Sequence, residues 1–504
     1  MDIKSTMQSN GENSQNSHRT DITVEPIDEA FVRVRAEGGT FRELVDYFTF
    51  EIPGARFMPA YRNKMWDGKI RLLNNMNKTL PKGLLQYVAK FGESRNYTIS
   101  FHDDLLHDDE FSIAEAEEHI QKLNLKLEPR DYQIKAFVHA IRKRRALLLS
   151  PTASGKSLIA YLMSTYYLQA VDRILIIVPT VSLVHQMVKD FIDYGMPDSM
   201  LKGIMAGVDK STVKPVTVTT WQSIHKMPKS WFQHFGCVIG DEAHLFKSKS
   251  LTDIMNKMVD VEYRFGLTGT LDGAQTHKLV LEGLFGPVKQ VVKTKELIEK
   301  GSLSPFKIKV IALRYDIETR KNYSNSLYQD EMEFIHSHDK RNKFIRNLAL
   351  SLKGNSLVLF KLVDKHGKIL YNDIQEHAKD GRHIFFVHGG TDADTREQIR
   401  EITENEKDAI IVASYGTFST GINIRNLHNI VFASPSKSRV RNLQSIGRGL
   451  RKSENKEQAV LYDIADDLSY KKKKNHSLKH LSVRLKMYQE EMFEFKTYRV
   501  DFNE

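Results

Sequence analysis

Two series of short apolar runs, each closing on a polar loop, occupy most of this 504-residue chain. The first is "ALLLS", "RILIIVP", "VTVTT", "CVIGDEAH" and "FGLTGT". The second is "SLVLF", "HIFFVHGG", "AIIVASY", "NIVFAS" and "AVLYDI". Helical stretches separate most of them. A run that is apolar without alternation must be covered on both faces, and strands joined through helices run parallel. The pattern predicts an α/β fold with two parallel-sheet domains of similar size in tandem.

The flanks read differently. Residues 22–103 carry strand-like runs ("ITVEPI", "FVRVRA", "KIRLL", "YTISF") around a helical run, "TFRELVDYF". There Thr40 is expected as the N-cap, with Glu43 as its capping-box partner. This is a small N-terminal α+β domain. Residues 1–21 are polar, lack the apolar core of a signal peptide and are expected to be a disordered tail. The two sheet domains are placed at 104–300 and 301–465, and a short, basic, helical C-terminal segment at 466–504. No run of about 18 uncharged apolar residues occurs, so no membrane span is expected. Cys237 is the single cysteine. It excludes an intramolecular disulfide framework and a Cys-rich zinc module, is expected to be buried in its strand, and fits a reducing, cytoplasmic setting.

The formal net charge of +11 attracts polyanions at long range. Its placement matters more than its size. Lys and Arg cluster between Arg56 and Arg95, with Phe57, Tyr61, Trp66, Tyr87 and Phe91 interleaved, and again from Tyr470 to Arg499, which opens on Lys471 to Lys474. Clustered cations neutralise phosphates, and aromatics stack on bases. Core packing is the competing role for each aromatic. Trp66 in particular reads either as a core anchor rimmed by Lys64, Lys69 and Arg71 or as a nucleic-acid contact.

"LLLSPTASGKS" joins an apolar strand to a helix through a small, polar loop. Backbone N–H groups and the helix dipole there favour an anion. Lys156 can reach β- and γ-phosphates, and the Ser157 hydroxyl can ligate Mg²⁺. In "VIGDEAH", Asp241 and Glu242 end an apolar strand. Two adjacent carboxylates repel each other in a dry site unless a cation joins them. Asp241 is expected to hold Mg²⁺ and Glu242 to deprotonate the attacking water. In "QSIGRGLR", Arg448 and Arg451 share one face if that turn is helical, where they could neutralise charge on a γ-phosphoryl group. Gln133, in "LEPRDYQIKA", has the donor and acceptor that pair with an adenine edge, and Arg130 could stack on the base. No guanine-reading Asn-Lys-x-Asp pattern is present, so ATP is the expected nucleotide.

The order "PRDYQ", "PTASGKS", "PTVSLVHQ", "TTWQS", "DEAH", "LTGT", "VHGGTD", "YGTFSTGINI", "QSIGRGLR" resembles the motif ladder of superfamily 2 helicases over residues 127–452. "WDGKIRLL", "FGLTGTLDG", "VASYGTFSTGI" and "LQSIGRGLR" look like the bacteriophage UvsW-type family within it. The resemblance implies two RecA-like domains and ATP contacts from Arg130, Gln133, Thr152, Ala153, Ser154, Gly155, Lys156 and Ser157. It implies Mg²⁺ and water activation at Asp241 and Glu242, and domain coupling at His244, Thr268 and Thr270. Nucleotide sensing falls to Gly421, Arg448 and Arg451, with Gln444 arranging the same surface. Thr180, Gln186, Thr220, Trp221, His388, Gly389, Ser414 and Thr420 stand in strand-tracking motifs. Trp66, Lys69 and Arg71, with Lys472 and Lys473, would add nucleic-acid contacts. The activity implied is ATP-driven remodelling of single-stranded, forked or branched DNA and RNA–DNA hybrids, by a monomer working with other recombination or replication proteins in the host cytoplasm. An RNA helicase, a double-strand translocase without strand separation, and a binding scaffold with a degenerate ATP site are the alternatives.

Overall fold

The computed structural model describes residues 20–421, 424–434, 436–453 and 456–502. Most of the expected tail lies outside the described residues. Asp21 does not belong to a tail: its carboxylate accepts from the Thr98 backbone N–H at 2.8 Å and from the Thr98 hydroxyl at 2.9 Å. The chain divides into two compact units, residues 1–150 with 155–291, and residues 151–154 with 292–504.

The first unit opens with a four-stranded sheet, order β5-β2-β1-β6, of strands β1 (Ile22–Pro26), β2 (Phe31–Ala36), β5 (Thr79–Pro81) and β6 (Ile99–Phe101). A separate antiparallel pair joins β3 (Thr49–Glu51) to β4 (Lys69–Arg71). The helix Gly38–Tyr47 buries Phe41 and Leu44 and is capped by Glu37 without a side-chain bond. Thr40 is therefore not the N-cap. Phe41 N–H already reaches Glu37 O at 2.7 Å, which starts the helix ahead of the expected position. A later helix, Ile113–Lys122, does carry a capping box, between Ser112 and Glu115.

The larger sheet of this unit is wholly parallel, order β13-β7-β12-β11-β8-β10-β9. It comprises β7 (Arg145–Leu149), β8 (Ile174–Val178), β9 (Leu201–Ile204), β10 (Val216–Thr220), β11 (Cys237–Asp241), β12 (Tyr263–Thr268) and β13 (Val288–Gln290). Successive side chains alternate between its two faces. Ala146, Leu148, Ile176 and Ile239 enter one core, whereas Leu147, Leu175, Ile177 and Val238 enter the other. That is why these strands read as continuous apolar runs. Cys237 is buried among them.

The small sheet module is seated on this larger domain by polar bonds and one very close approach. The Glu29 carboxylate takes Lys82 at 2.9 Å and Arg145 at 2.6 Å. Burial would raise the Glu29 carboxyl, but Arg145 and Lys82 outweigh it and hold it below the usual range. The Tyr87 hydroxyl donates to Glu282 at 2.6 Å. At Gly83 any Cβ would stand 2.0 Å from Glu282 O. Leu279, on the helix Gln275–Phe285 of the large domain, completes the small module's apolar core.

The second unit has its own seven-stranded parallel sheet, order β16-β17-β15-β18-β19-β14-β20. Its strands are β14 (Phe306–Tyr315), β15 (Ser356–Phe360), β16 (Ile384–Val387), β17 (Ile410–Ser414), β18 (Asn429–Phe432), β19 (Ala459–Asp467) and β20 (Phe495–Phe502). The C-terminal segment is more than helical. After the helix His476–Glu490 the chain pairs β20 along the whole of β14, from Ile308↔Phe495 to Tyr315↔Phe502. Two buried ion pairs brace the unit. Arg341 meets Asp466 at 2.6 Å, and Arg484 meets Asp463 at 2.9 Å with the Tyr488 hydroxyl on the same carboxylate at 2.8 Å. Among the described residues, no helix is long and apolar enough to cross a membrane.

Gly83→Ala forces backbone apart at the seam and is expected to lower unfolding stability by about 1–3 kcal/mol. A urea melt followed by circular dichroism measures it, and an unchanged midpoint contradicts the close approach.

Candidate functional site: one edge of the first parallel sheet

In a parallel sheet every strand delivers its following loop to the same edge. Here Leu149 stands opposite Thr268, and Asp241 opposite Leu267. Ser150 N–H donates to Thr268 O at 2.8 Å, which ties the start of the glycine-containing loop to the neighbouring strand end. Within the loop, Ala153 and Gly155 adopt left-handed backbone, φ +66° and +79°. The Ser154 hydroxyl donates to Pro151 O at 2.6 Å and is consumed in holding the turn. A side chain at Gly155 is opposed by its left-handed backbone, and a Cβ there would lie 2.3 Å from Gln133 Nε2 and displace that amide.

The helix Lys156–Tyr167 starts there. Its uncapped N–H groups and its dipole face the loop, an anion-favouring arrangement. Lys156 Nζ lies 3.5 Å from Ser150 O, folded back along the loop. The Ser157 hydroxyl is 3.0 Å from the Tyr194 hydroxyl. Nothing in the sequence pointed to Tyr194, because the partners are 37 residues apart and no motif includes it. Gln133 is buried. Its Oε1 accepts from Arg130 N–H at 2.8 Å, and its Nε2 lies 3.4 Å from Gly155 O, so it sits against the loop. Arg130 itself bonds to Tyr132 at 2.9 Å.

Asp241 ends β11 in a buried position, and its Oδ1 has no hydrogen-bond partner. Burial, and then the charge of Glu242, push its carboxyl up to about 6. Lys156 acts in the opposite sense and is thereby placed within electrostatic reach. Glu242 takes left-handed backbone, φ +47°. His244 Nδ1 lies 3.3 Å from Glu242 Oε2 and 3.0 Å from Thr268 Oγ1, and the Thr268 hydroxyl donates to Thr270 O at 3.1 Å. The edge thus links Glu242, His244, Thr268 and Thr270 in one polar chain. Among the described residues no group of three or more His, Cys, Asp or Glu is placed to hold a metal ion by itself. Asp241, whose buried carboxylate oxygen is unsatisfied, and the Ser157 hydroxyl are the groups that could serve a divalent cation.

Along the same edge, Thr180 caps the helix Val181–Asp193 and Gln186 is exposed on it. The Thr220 hydroxyl is buried against Ser223 at 3.0 Å, and Trp221 is half-buried against the core. Trp66 is not a core anchor. It is only half-buried, with its indole N–H on Lys69 O at 2.8 Å, while Lys69 and Arg71 are exposed.

The second unit places its motifs at its own strand ends. His388 and Gly389 follow β16, and His388 Nδ1 accepts from Gly390 N–H at 3.0 Å. Ser414 Oγ is 2.8 Å from Thr417 Oγ1. Thr420 and Gly421 close the helix Tyr415–Gly421, where side chains lie outside the described residues. Gln444 and Arg448 sit one turn apart on the helix Arg439–Gly449. Arg451 does not share that face. The helix stops at Gly449, which lies so close to Ile430 that a Cβ would be 2.2 Å from its Cδ1. Arg451 follows in irregular backbone, its carbonyl accepting from the Ser304 hydroxyl at 3.3 Å. The arginine helix is braced from the C-terminal helix: Arg439 pairs with Glu490 and Glu491, and Arg484 donates to Ser436 O at 2.9 Å. Lys472 is exposed, and Lys473 bonds to Asn325.

Three family models match the chain: "DNA helicase UvsW, N-terminal" over residues 21–102, "Type III restriction enzyme, res subunit" over 126–273, and "Helicase conserved C-terminal domain" over 339–453. The ATP-dependent DNA helicase uvsW of Enterobacteria phage T4 is 39% identical over 500 residues, covering 94% of this chain and 98% of that protein. The DNA 3'-5' translocase XPB2 of Sulfurisphaera tokodaii is 25% identical over 67% of this chain and 82% of its own length. The crystal structure of T4 UvsW superposes with a TM-score of 0.52 at 36% identity, covering 96% of this chain and 100% of that one.

Asp241→Asn removes a buried carboxylate whose charge burial opposes. The folded-state value is raised from 3.8 to about 6, so the penalty is full at neutral pH, shrinks as pH falls below about 6 and is gone below about 4. Without nucleotide or metal the variant is therefore expected to be more stable at pH 7.5 by about 1–3 kcal/mol, with no gain at pH 3.5. Denaturant melts across pH test it, and equal stability at pH 7.5 refutes it. Arg484→Met strands Asp463 and is expected to cost about 3–5 kcal/mol in the same assay.

Proposed function

The chain belongs to the UvsW-type family of superfamily 2 helicases, and from that membership we propose an ATP-driven motor that remodels branched DNA. It is an ATP-dependent helicase; forks, junctions and R-loops are the substrates inferred here. The observation that carries the reading is the convergence of the Lys156 loop, the Asp241–Glu242 pair and the His244–Thr268–Thr270 chain on one sheet edge.

Each residue then has a task. The loop from Thr152 to Gly155 and the helix beginning at Lys156 receive the phosphates, with Lys156 on the β- and γ-oxygens. Gln133, already against the loop, holds the adenine together with Arg130. Asp241 and Ser157 would hold Mg²⁺, which when bound offsets phosphate charge. Glu242 Oε2 orients the attacking water and accepts its proton, and His244 steadies that carboxylate from 3.3 Å. Arg448 and Arg451 answer the charge developing on the γ-phosphoryl group, a role worth about 10³–10⁵ in rate. His244, Thr268 and Thr270 relay the state of the nucleotide, Gly421 and Gln444 assist in sensing it, and the tracking motifs grip the DNA backbone. The basic small module and the Lys472–Lys473 turn add electrostatic hold. A monomer in the host cytoplasm, cooperating with other recombination or replication proteins, completes the reading.

ATPase stimulation by single-stranded DNA, forked DNA, a four-way junction and RNA, in wild type and Lys156→Ala, tests it. Forked or junction DNA is expected to stimulate wild type most, with Lys156→Ala inactive; strongest stimulation by RNA rejects DNA remodelling. Glu242→Gln is expected to bind ATP and DNA yet turn over about 10²–10⁴-fold more slowly. Lys472→Ala with Lys473→Ala should lower the salt slope of DNA binding by about 2; an unchanged slope removes those lysines from the interface.

A further inference from the structure

Between the paired strands β3 and β4 the chain makes a compact excursion, Ile52 to Gly68. Ile52 N–H closes its base on Gly68 O at 2.9 Å. Gly54, at φ +80°, turns the chain into two short helical turns, Ala55–Phe57 and Pro59–Arg62. Gly68, at φ +78°, lets the returning strand pass so close that a Cβ there would lie 3.0 Å from the Ala55 Cβ and from the Tyr61 ring. Met65 N–H bonds to Ala60 O at 2.9 Å, and the Trp66 indole pins Lys69 O at 2.8 Å. The excursion is therefore held by its own bonds.

What it presents to solvent is unusual for a surface loop. Phe57 is 71% and Met65 76% exposed, and Met58 and Tyr61 are exposed beside them. Arg56 lies 4.8 Å from the Phe57 ring centroid. Arg62, Lys64 and Lys69 are exposed around the tip. The one acid in the excursion, Asp67, is taken by Arg71 at 2.5 Å. An apolar, aromatic tip ringed by uncompensated cations matches a surface that offers a flat base and phosphates together. The frayed end of a duplex at a fork is such a surface. An acidic or purely apolar protein face would match only half of it.

We propose that this excursion is a strand-separating pin, in which Phe57 and Met65 stack on the first base pair of a DNA fork while Arg56, Arg62 and Lys64 take the flanking phosphates. The proposal rests on the helicase reading and adds to it the place where the duplex is split. Binding without ATP to a fork carrying 2-aminopurine at the first paired position reads the contact separately from the motor. Wild type is expected to change the fluorescence at least twofold, Phe57→Ala/Met65→Ala to abolish the change, and Phe57→Tyr to keep it. The double variant is further expected to unwind forks at least tenfold more slowly, with single-strand-stimulated ATPase within twofold of wild type. Wild-type fluorescence and unwinding in the double variant overturn the pin, as does an equal loss of single-strand-stimulated ATPase. A wild-type dimer in sedimentation that the double substitution dissociates, with the fork signal intact, assigns the tip to self-association instead. If wild type unwinds nothing while the fluorescence change still depends on Phe57, the helicase reading fails and the fork contact stands.

Discussion

Parallel pairing without exception, in both large sheets, is the constraint on which the rest depends. A sheet covered on both faces offers water only its strand ends, so polar chemistry collects there. In the first unit the register sets Leu149 against Thr268 and Asp241 against Leu267, and three loops from distant parts of the chain become neighbours. The price is a carboxylate, Asp241, held where its own charge is unwelcome. Its Oδ1 is also left without a hydrogen-bond partner, so the strand end carries an unrelieved electrostatic tension.

The two units solve their internal electrostatics differently. In the second, Arg341–Asp466 and Arg484–Asp463 are fully buried, and each carboxylate has further donors in Tyr315 and Tyr488. Such pairs contribute little net stability but penalise every arrangement that separates them. Their location gives that specificity a use, because Arg484 also reaches Ser436 O at the entry to the helix that bears Gln444 and Arg448. In the first unit the charges sit at a seam, where Glu29 is shared by a lysine of the small module and an arginine of the large domain.

The ten apolar runs were legible as strands because they are short, close on polar loops and, apart from the partly buried edge strand β16, are buried along nearly their whole length. What escaped the sequence had a physical reason. Strand β14 alternates Lys with apolar residues, and β20 is an edge strand with mostly exposed side chains, so neither carries the continuous apolar signature. The capping of the first helix was misplaced because a backbone bond from Phe41 to Glu37, rather than a side chain, starts it. The glycine loop, the acidic pair and the arginine motif were visible as residues. The hydroxyl of Tyr194 beside Ser157, the His244–Thr268 contact and the escape of Arg451 from its helix depend on tertiary packing, and no local pattern encodes them.

Leu279 lies in the core of a module that ends near residue 102, though it belongs to a helix made far later. At about 5–20 residues per second of synthesis, that core waits on the order of ten seconds or more for its last side chain. During that interval the apolar cluster that includes Phe41, Leu84 and Val88 lacks one of its buried members. The small module is therefore first in sequence but not first to be finished, and a cut at its apparent boundary would separate it from part of its own interior.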